Sequence, residues 1–247
     1  FCSVQSTNKP IIISRDTRNQ GYQIAESIKK SIISLGIDVY DIGISPTPVI
    51  QYLTKSLGCG GGIMITASHN PEKWNGLKFI DSNGCFINSK KNSILLSNVD
   101  NNNLPSKSQT MGSIHNQHDK IDTFINDLFS LEFINIDRIK RKKFKIVADA
   151  INGANYYLLP HILEQLNCDV IKLFCDNSGN FERNPEPLSE NLEILSEKVL
   201  EYNADIGLAC DPDGDRLAIV DEKGKAIGEE NTLVLCADDY FIETKST

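Results

Sequence analysis

Long apolar runs are missing from this chain. None reaches the length of a bilayer-crossing helix, so no membrane span is expected. The opening residues, Phe1 to Pro10, lack the basic segment and apolar core of a secretory signal and are not expected to act as one. Positive charge is also scarce: 25 Lys and Arg stand against 33 Asp and Glu, a net charge of -8. That argues against a general nucleic-acid binder, because phosphate backbones are held by clustered Lys and Arg. A small phosphorylated substrate is not excluded, since it needs only a local positive pocket or a metal. The single basic run, Lys140, Arg141, Lys142 and Lys143, reads as a solvated connector between domains, with nuclear targeting or nucleic-acid contact the lesser alternative. No C-x-x-C pair occurs. The seven cysteines (Cys2, Cys59, Cys85, Cys168, Cys175, Cys210 and Cys236) are odd in number and irregularly spaced. They form neither a disulfide framework nor a zinc knuckle, and reduced thiols in the cytoplasm are the expectation.

What is present is an alternation of strand and helix signals. The 247 residues suffice for one large domain or two of ordinary size. Ile11 to Ile13 is a β-branched run, and Ile24, Ile28, Ile32 and Leu35 then fall on one helical face ended by Gly36. Strand Ile37 to Ile42, helix Val49 to Leu57 and strand Gly62 to Thr66 follow. Leu77 to Ile80 and Cys85 to Ile87 read as a hairpin around Asp81-Ser82-Asn83-Gly84. Asn92 to Gln117, rich in Asn, Ser and Gln, reads as a weak helix and a long surface loop; a helix is marked by Ile121, Phe124, Ile125 and Leu128. A second series begins at Phe144: strands Phe144 to Ala148, Val170 to Phe174, Ile206 to Cys210 and Leu217 to Val220, with helices Tyr156 to Leu166, Leu192 to Tyr202 and Thr232 to Ile242. Strands separated by helices imply mostly parallel sheets covered on both faces. The expected fold class is therefore α/β, with two consecutive three-layer α/β/α domains at 1–139 and 140–247. The two series suggest one plan used twice, although their sequence similarity is too weak to establish a repeat.

Two loops carry chemistry. Thr66-Ala67-Ser68-His69-Asn70-Pro71-Glu72-Lys73-Trp74-Asn75-Gly76-Leu77-Lys78 begins where a glycine-led strand ends. Ligands of open α/β sheets gather at such carboxyl ends. Ser68 would be presented on an exposed turn, with His69 and Lys78 supplying a proton-transfer group and a positive charge, as acceptance and return of a phosphoryl group require. Each residue alone is more often part of an ordinary capping turn; it is their combination that carries weight. Asp211-Pro212-Asp213-Gly214-Asp215-Arg216 lies between two apolar strands. Three alternating carboxylates offer hard oxygen ligands for Mg²⁺ or a similar cation, and Arg216 has the planar fork that suits phosphate. An EF-hand is rejected because its sixth position needs Gly, where Arg216 stands, and its flanks are helices. A phosphatase using Asp211 as nucleophile and Asp213 as acid–base partner remains compatible with this loop alone, but leaves the Ser68 loop unexplained.

With both loops in view, the sequence resembles the α-D-phosphohexomutases, the phosphoglucomutases, phosphomannomutases and phosphoglucosamine mutases. Thr66 to Pro71 is similar to their phosphoserine loop and Asp211 to Arg216 to their metal loop. Ser14-Arg15-Asp16-Thr17-Arg18, Asp41 to Pro48, Ala148 to Gly153 and Asn184-Pro185-Glu186-Pro187 resemble further segments of the family, with Ser14 replacing a Gly. The resemblance implies the phosphohexomutase type of α/β domain and a phospho-Ser68 that donates to a sugar phosphate. It also implies a hexose 1,6-bisphosphate that reorients as intermediate and activator. A Mg²⁺ would be held by the Ser68 phosphate with Asp211, Asp213 and Asp215, while His69, Lys78 and Arg216 position or protonate the moving group. The family has four domains. Its early arginine segment, its sugar-selecting third-domain loop and its fourth-domain phosphate clamp have no match here. The expectation is thus a chain carrying domains I and II, with domains III and IV as partners from the remainder of a longer protein, and little turnover by itself. A catalytically idle remnant that binds phosphate or a partner chain is the alternative.

Overall fold

The computed structural model describes residues 1–5 and 8–244. The chain divides into two compact units, Phe1–Ala67 with Lys73–Phe124, and Ser68–Glu72 with Ile125–Thr247. Among the described residues no helix is long and apolar enough to cross a membrane.

The first unit opens with a single helical turn, α1 (Cys2–Gln5), and continues through β1 (Ile11–Arg15), α2 (Gly21–Ile33), β2 (Val39–Ile44), α3 (Thr47–Ser56), β3 (Gly61–Ile65), β4 (Leu77–Asp81), α4 (Ser89–Asp100) and β5 (Ile114–Asn116). Its sheet runs β4-β3-β1-β2-β5, parallel except for β4. β1 lies at the centre because Ile11, Ile12 and Ile13 have two faces to bury and no polar side chain to satisfy. Ile11 and Ile13 pack with Ala25 and Ile32 of α2 on one face. On the other, Gly62 of β3 lies so close to α3 that an added Cβ would sit 2.7 Å from the Thr54 hydroxyl. Each buried isoleucine contributes roughly 1.5–3 kcal/mol. α3 starts where Pro46 takes the cap position and Pro48 follows inside the first turn, a place that needs no amide hydrogen.

After α5 (Lys120–Phe129) and α6 (Ile136–Lys142), the second unit builds β6 (Lys145–Asp149), α7 (Leu158–Gln165), β7 (Asp169–Leu173), α8 (Glu193–Tyr202), β8 (Ile206–Cys210), β9 (Leu217–Val220) and α9 (Glu229–Thr244). The sheet order is β7-β6-β8-β9, parallel except for β9. Val147 meets Leu195 and Val199 of α8 on one face, while Ile146 and Ala148 meet Leu163 of α7 on the other. Both units are three-layer α/β folds with mixed, mostly parallel sheets.

The plan is the same twice. In each unit the first strand is central, the second and third flank it in parallel, and the fourth returns antiparallel to the third. The turn after the fourth strand repeats as well. Asp81 accepts the amides of Asn83 and Cys85 through Oδ1, and Asp221 accepts those of Lys223 and Lys225. The expected hairpin partner Cys85 to Ile87 is reduced to a single bridge, Ile80 to Phe86, matched by Val220 to Ala226. Two elements depart from expectation. The Asn-rich stretch contains β5, an exposed edge strand held by main-chain pairing of Ile114 with Val39 rather than by burial. The basic run, expected as a solvated connector, carries a helix: Lys140, Arg141 and Lys142 form the last turn of α6, where they complement the negative helix end, and Lys143 closes it in a left-handed conformation.

Candidate active site

Both reactive loops join a third strand to the antiparallel fourth. The first leaves β3 at Ile65 and enters β4 at Leu77, which face each other in register. Its two ends are pinned. The Thr66 amide donates to the Gly76 carbonyl at 3.0 Å. The Thr66 hydroxyl donates to Asp16 Oδ2 at 2.7 Å, and Arg18 donates from Nε to the same oxygen at 2.9 Å. Arg18 Nη1 also donates to the Trp74 carbonyl at 3.1 Å, and the Arg18 amide to Asp16 Oδ1. Asp16 and Arg18 are both buried, just beyond the end of β1. Ser68 stands in the left-handed region, φ 50°, on this pinned loop. Such a backbone costs a non-glycine residue on the order of 1–3 kcal/mol and persists where its surroundings over-determine it.

The second loop leaves β8 at Cys210 and enters β9 at Leu217. Asp211 and Asp213 are fully buried and Asp215 is exposed. One carboxylate oxygen from each lies within 4.8 Å of the others, so the three can hold a metal ion. Burial, followed by the charges of Asp213 and Asp215, pushes the Asp211 carboxyl up to about 8. Three crowded carboxylates of this kind need a proton or a cation, and all-oxygen donors suit a hard divalent ion such as Mg²⁺. The Gly214 amide donates to the Asp211 carbonyl and the Arg216 amide to Asp211 Oδ1.

Ser68 belongs to this second unit, and its Oγ donates to Asp211 Oδ2 at 3.1 Å across 143 residues of sequence. Of the residues expected from the sequence, the structure thus joins Ser68 to Asp211 and Asp211 to Asp213 and Asp215. His69 is half-buried with its Nδ1 lacking a hydrogen-bond partner. Arg216 is engaged by Glu186 at 3.1 Å and Glu229 at 3.6 Å. Lys78 lies on β4 opposite Met64, its ammonium 5.7 Å from the centre of the Phe86 ring.

The Asp211 loop rests on a cradle formed by Asp149 to Ala154. Ile151 and Asn152 are left-handed, φ 48° and 54°, an unusual conformation for a β-branched residue. The curl brings Gly153 against Pro212, and the Ala154 amide donates to the Pro212 carbonyl at 2.7 Å. Asp149 and Arg183 form a buried pair, Nε to Oδ2 at 2.7 Å, whose role the sequence did not reveal because 34 residues separate them. Burial pushes the Asp149 carboxyl up and the Arg183 guanidinium opposes it. The available signal was a carboxylate at the carboxyl end of a central strand, Asp16 just after β1 and Asp149 the last residue of β6.

Comparison with known proteins gives the family. The family model for phosphoglucomutase/phosphomannomutase, alpha/beta/alpha domain I, matches residues 2–105, and that for domain II matches residues 122–224. The chain belongs to the phosphoglucomutase/phosphomannomutase family. Within that family it is 34% identical to a phosphoglucomutase/phosphomannomutase of Thermococcus kodakarensis, over 94% of this chain and 51% of the relative. It is 37% identical to a phosphoglucosamine mutase of Aliarcobacter butzleri, over 92% of this chain and 51% of the relative. A solved phosphoglucomutase/phosphomannomutase family protein from Burkholderia thailandensis superposes with a TM-score of 0.80 at 27% identity, covering 98% of this chain and 53% of that one. A structure from Thermus thermophilus shares the fold, with a TM-score of 0.85 at 22% identity, 97% of this chain and 55% of that one being covered. The chain spans about half the length of the curated relatives it matches.

Proposed function

We propose that this chain supplies the phosphoryl-transfer half of a phosphohexomutase that interconverts hexose 1-phosphate and 6-phosphate. The observation that carries the reading is the Ser68 hydroxyl on the Asp211 carboxylate, 3.1 Å apart, beside two further carboxylates. A hydroxyl next to a hard-cation site is what acceptance of a phosphoryl group asks for, since the catalytic demand is positioning and neutralisation of spread charge. Phospho-Ser68 donates its phosphoryl group to the sugar phosphate, the resulting hexose 1,6-bisphosphate, intermediate and activator, reorients, and its other phosphoryl group returns to Ser68. Asp211, Asp213 and Asp215, with the phosphate on Ser68, would hold Mg²⁺, which when bound would neutralise charge on the transferring group. His69, Lys78 and Arg216 position or protonate the phosphate; Arg216 would exchange its Glu186 and Glu229 partners for phosphate oxygens.

On this reading residues 1–139 are the phosphoserine domain and 140–247 the metal domain. The sugar is glucosamine, mannose or glucose phosphate, the choice made by domain III and the phosphate clamped by domain IV in the remainder of a longer chain. The free cysteines favour a cytoplasmic setting.

Mass spectrometry of the Ser68 tryptic peptide, before and after incubation with Mg²⁺ and a hexose 1,6-bisphosphate, tests the proposal. A phosphate on Ser68, absent from Ser68→Ala and reduced in Asp211→Asn, is the expected result. An unmodified Ser68, or a phosphate that instead follows Asp211, would discard it.

A further inference from the structure

The two carbonyl groups that flank Asp211 are both tied down. Cys210 O accepts from Arg183 Nη2 at 2.6 Å, and Pro212 O accepts from the Ala154 amide at 2.7 Å. Both ties lead back to one carboxylate. Asp149 Oδ2 takes Arg183 Nε at 2.7 Å, while Oδ1 takes the Ile151 amide at 2.8 Å and so starts the left-handed curl that delivers Gly153 and Ala154 to Pro212. The pair is almost wholly buried, with side-chain exposures of 5% for Arg183 and 1% for Asp149. The third Arg183 donor, Nη1, goes to the Asn184 carbonyl. A planar fork with donors in fixed directions can serve three acceptors at once; an ammonium cannot.

An independent observation supports a dedicated device. The first unit has the same arrangement on the corresponding elements. Asp16 follows the central strand, gives Oδ1 to the amide two residues on and Oδ2 to an arginine Nε, and that arginine holds a carbonyl of the reactive loop, Trp74 O. The arginine comes from a different place in each unit, two residues after the aspartate in one and 34 in the other. Retention of the geometry with a different chain path indicates a demand of the loop rather than of the local sequence.

We propose that Asp149 and Arg183 are a positioning pair that sets the path of the Asp211 loop and thereby its affinity for a divalent cation, with Asp16 and Arg18 the counterpart in the first unit. The inference rests on the metal-binding reading of Asp211, Asp213 and Asp215 only for its second readout. The pair acts through the backbone and touches no ligand itself.

The test compares Arg183→Lys and Asp149→Asn with the unaltered chain. In metal-free protein, amide hydrogen exchange at Gly214 and Arg216, whose N–H groups depend on the placement of Asp211, should accelerate by about tenfold or more, with strand amides of β6 and β8 unchanged. Mg²⁺ affinity by titration calorimetry should fall roughly 10- to 100-fold, the usual effect of losing a partner that orients a metal ligand. A pair with a merely structural role would lower the melting temperature and leave both the local exchange rates and the affinity of the folded protein unchanged; that outcome overturns the proposal. An unaltered chain that fails to bind Mg²⁺ would sink the metal reading alone, and the exchange rates would still decide the positioning role. If Asp149→Asn does not fold, Arg183→Lys, which keeps the charge, carries the decision.

Discussion

Gly153 is placed where no other residue fits. A Cβ added there would stand 2.6 Å from the Pro212 carbonyl oxygen and 2.7 Å from its Cα, both backbone atoms that cannot swing aside. Gly153→Ala must therefore displace either the cradle or the Asp211 loop. Overpacking of this kind costs about 1–3 kcal/mol, and the loop is the cheaper part to move. The expected result is a loss of that size in thermal or denaturant unfolding, together with weaker Mg²⁺ binding. An alanine variant as stable and as tight as the original would show that Gly153 does not support the loop. Ser14, which replaces a glycine of the resembled segment, shows the opposite accommodation. Its buried hydroxyl finds Gly43 O, Ser45 O and Ser45 Oγ at 2.9–3.1 Å, so the added polar group is satisfied.

At the scale of elements, what was legible in the sequence follows from where the signal lies. Ser68 and the three aspartates are each local in the chain, and each loop sits at the end of an apolar strand, so residue type and order suffice to find them. β8 and β9 were bounded correctly because their apolar runs are interrupted sharply by the acidic loop. β5 was not, because an exposed three-residue strand is defined by whom it pairs with and has no burial pattern to read. Arg18 and Arg183 were invisible in their roles for the same reason: the partner, not the residue, defines them. The pinning of the Ser68 loop makes its own prediction. Thr66→Val keeps the shape and removes the hydroxyl that donates to Asp16, whereas Thr66→Ser keeps the hydroxyl. A hydrogen bond to a charged group contributes about 1.5–3 kcal/mol, enough to raise the open fraction of the loop roughly 10- to 100-fold. Trypsin cleavage after exposed Lys73 should accelerate by that factor in the valine variant and stay near the original rate in the serine variant. Equal rates in all three would mean that the Thr66 tie does not hold the loop closed.

For the molecule as a whole, one plan used twice yields two different reactive loops at the same place, between third and fourth strands. The first presents a hydroxyl and the second concentrates negative charge. That concentration has a consequence for the stability of the entire chain. The Asp211 carboxyl is pushed from an ordinary 3.8 to about 8 in the folded protein, by burial first and by Asp213 and Asp215 next. Between those two values the folded chain holds a proton that the unfolded chain has released. Stability must then fall as pH rises, by up to about 1.4 kcal/mol per pH unit for this one group. The contribution is fully present below about pH 4 and lost by about pH 8. A divalent cation replaces the proton, so its stabilisation should run the other way, small at pH 5 and large at pH 8, reaching about 2.7 kcal/mol when the ion is at a hundred times its dissociation constant. Thermal unfolding at pH 5, 6.5 and 8, in chelator and in Mg²⁺, reads both slopes. Asp213→Asn removes a neighbouring charge and should flatten the chelator series while weakening the response to Mg²⁺. Stability that rises with pH in chelator, or a Mg²⁺ response that does not grow with pH, would mean that the acidic loop is not the proton–cation exchange site its crowding implies.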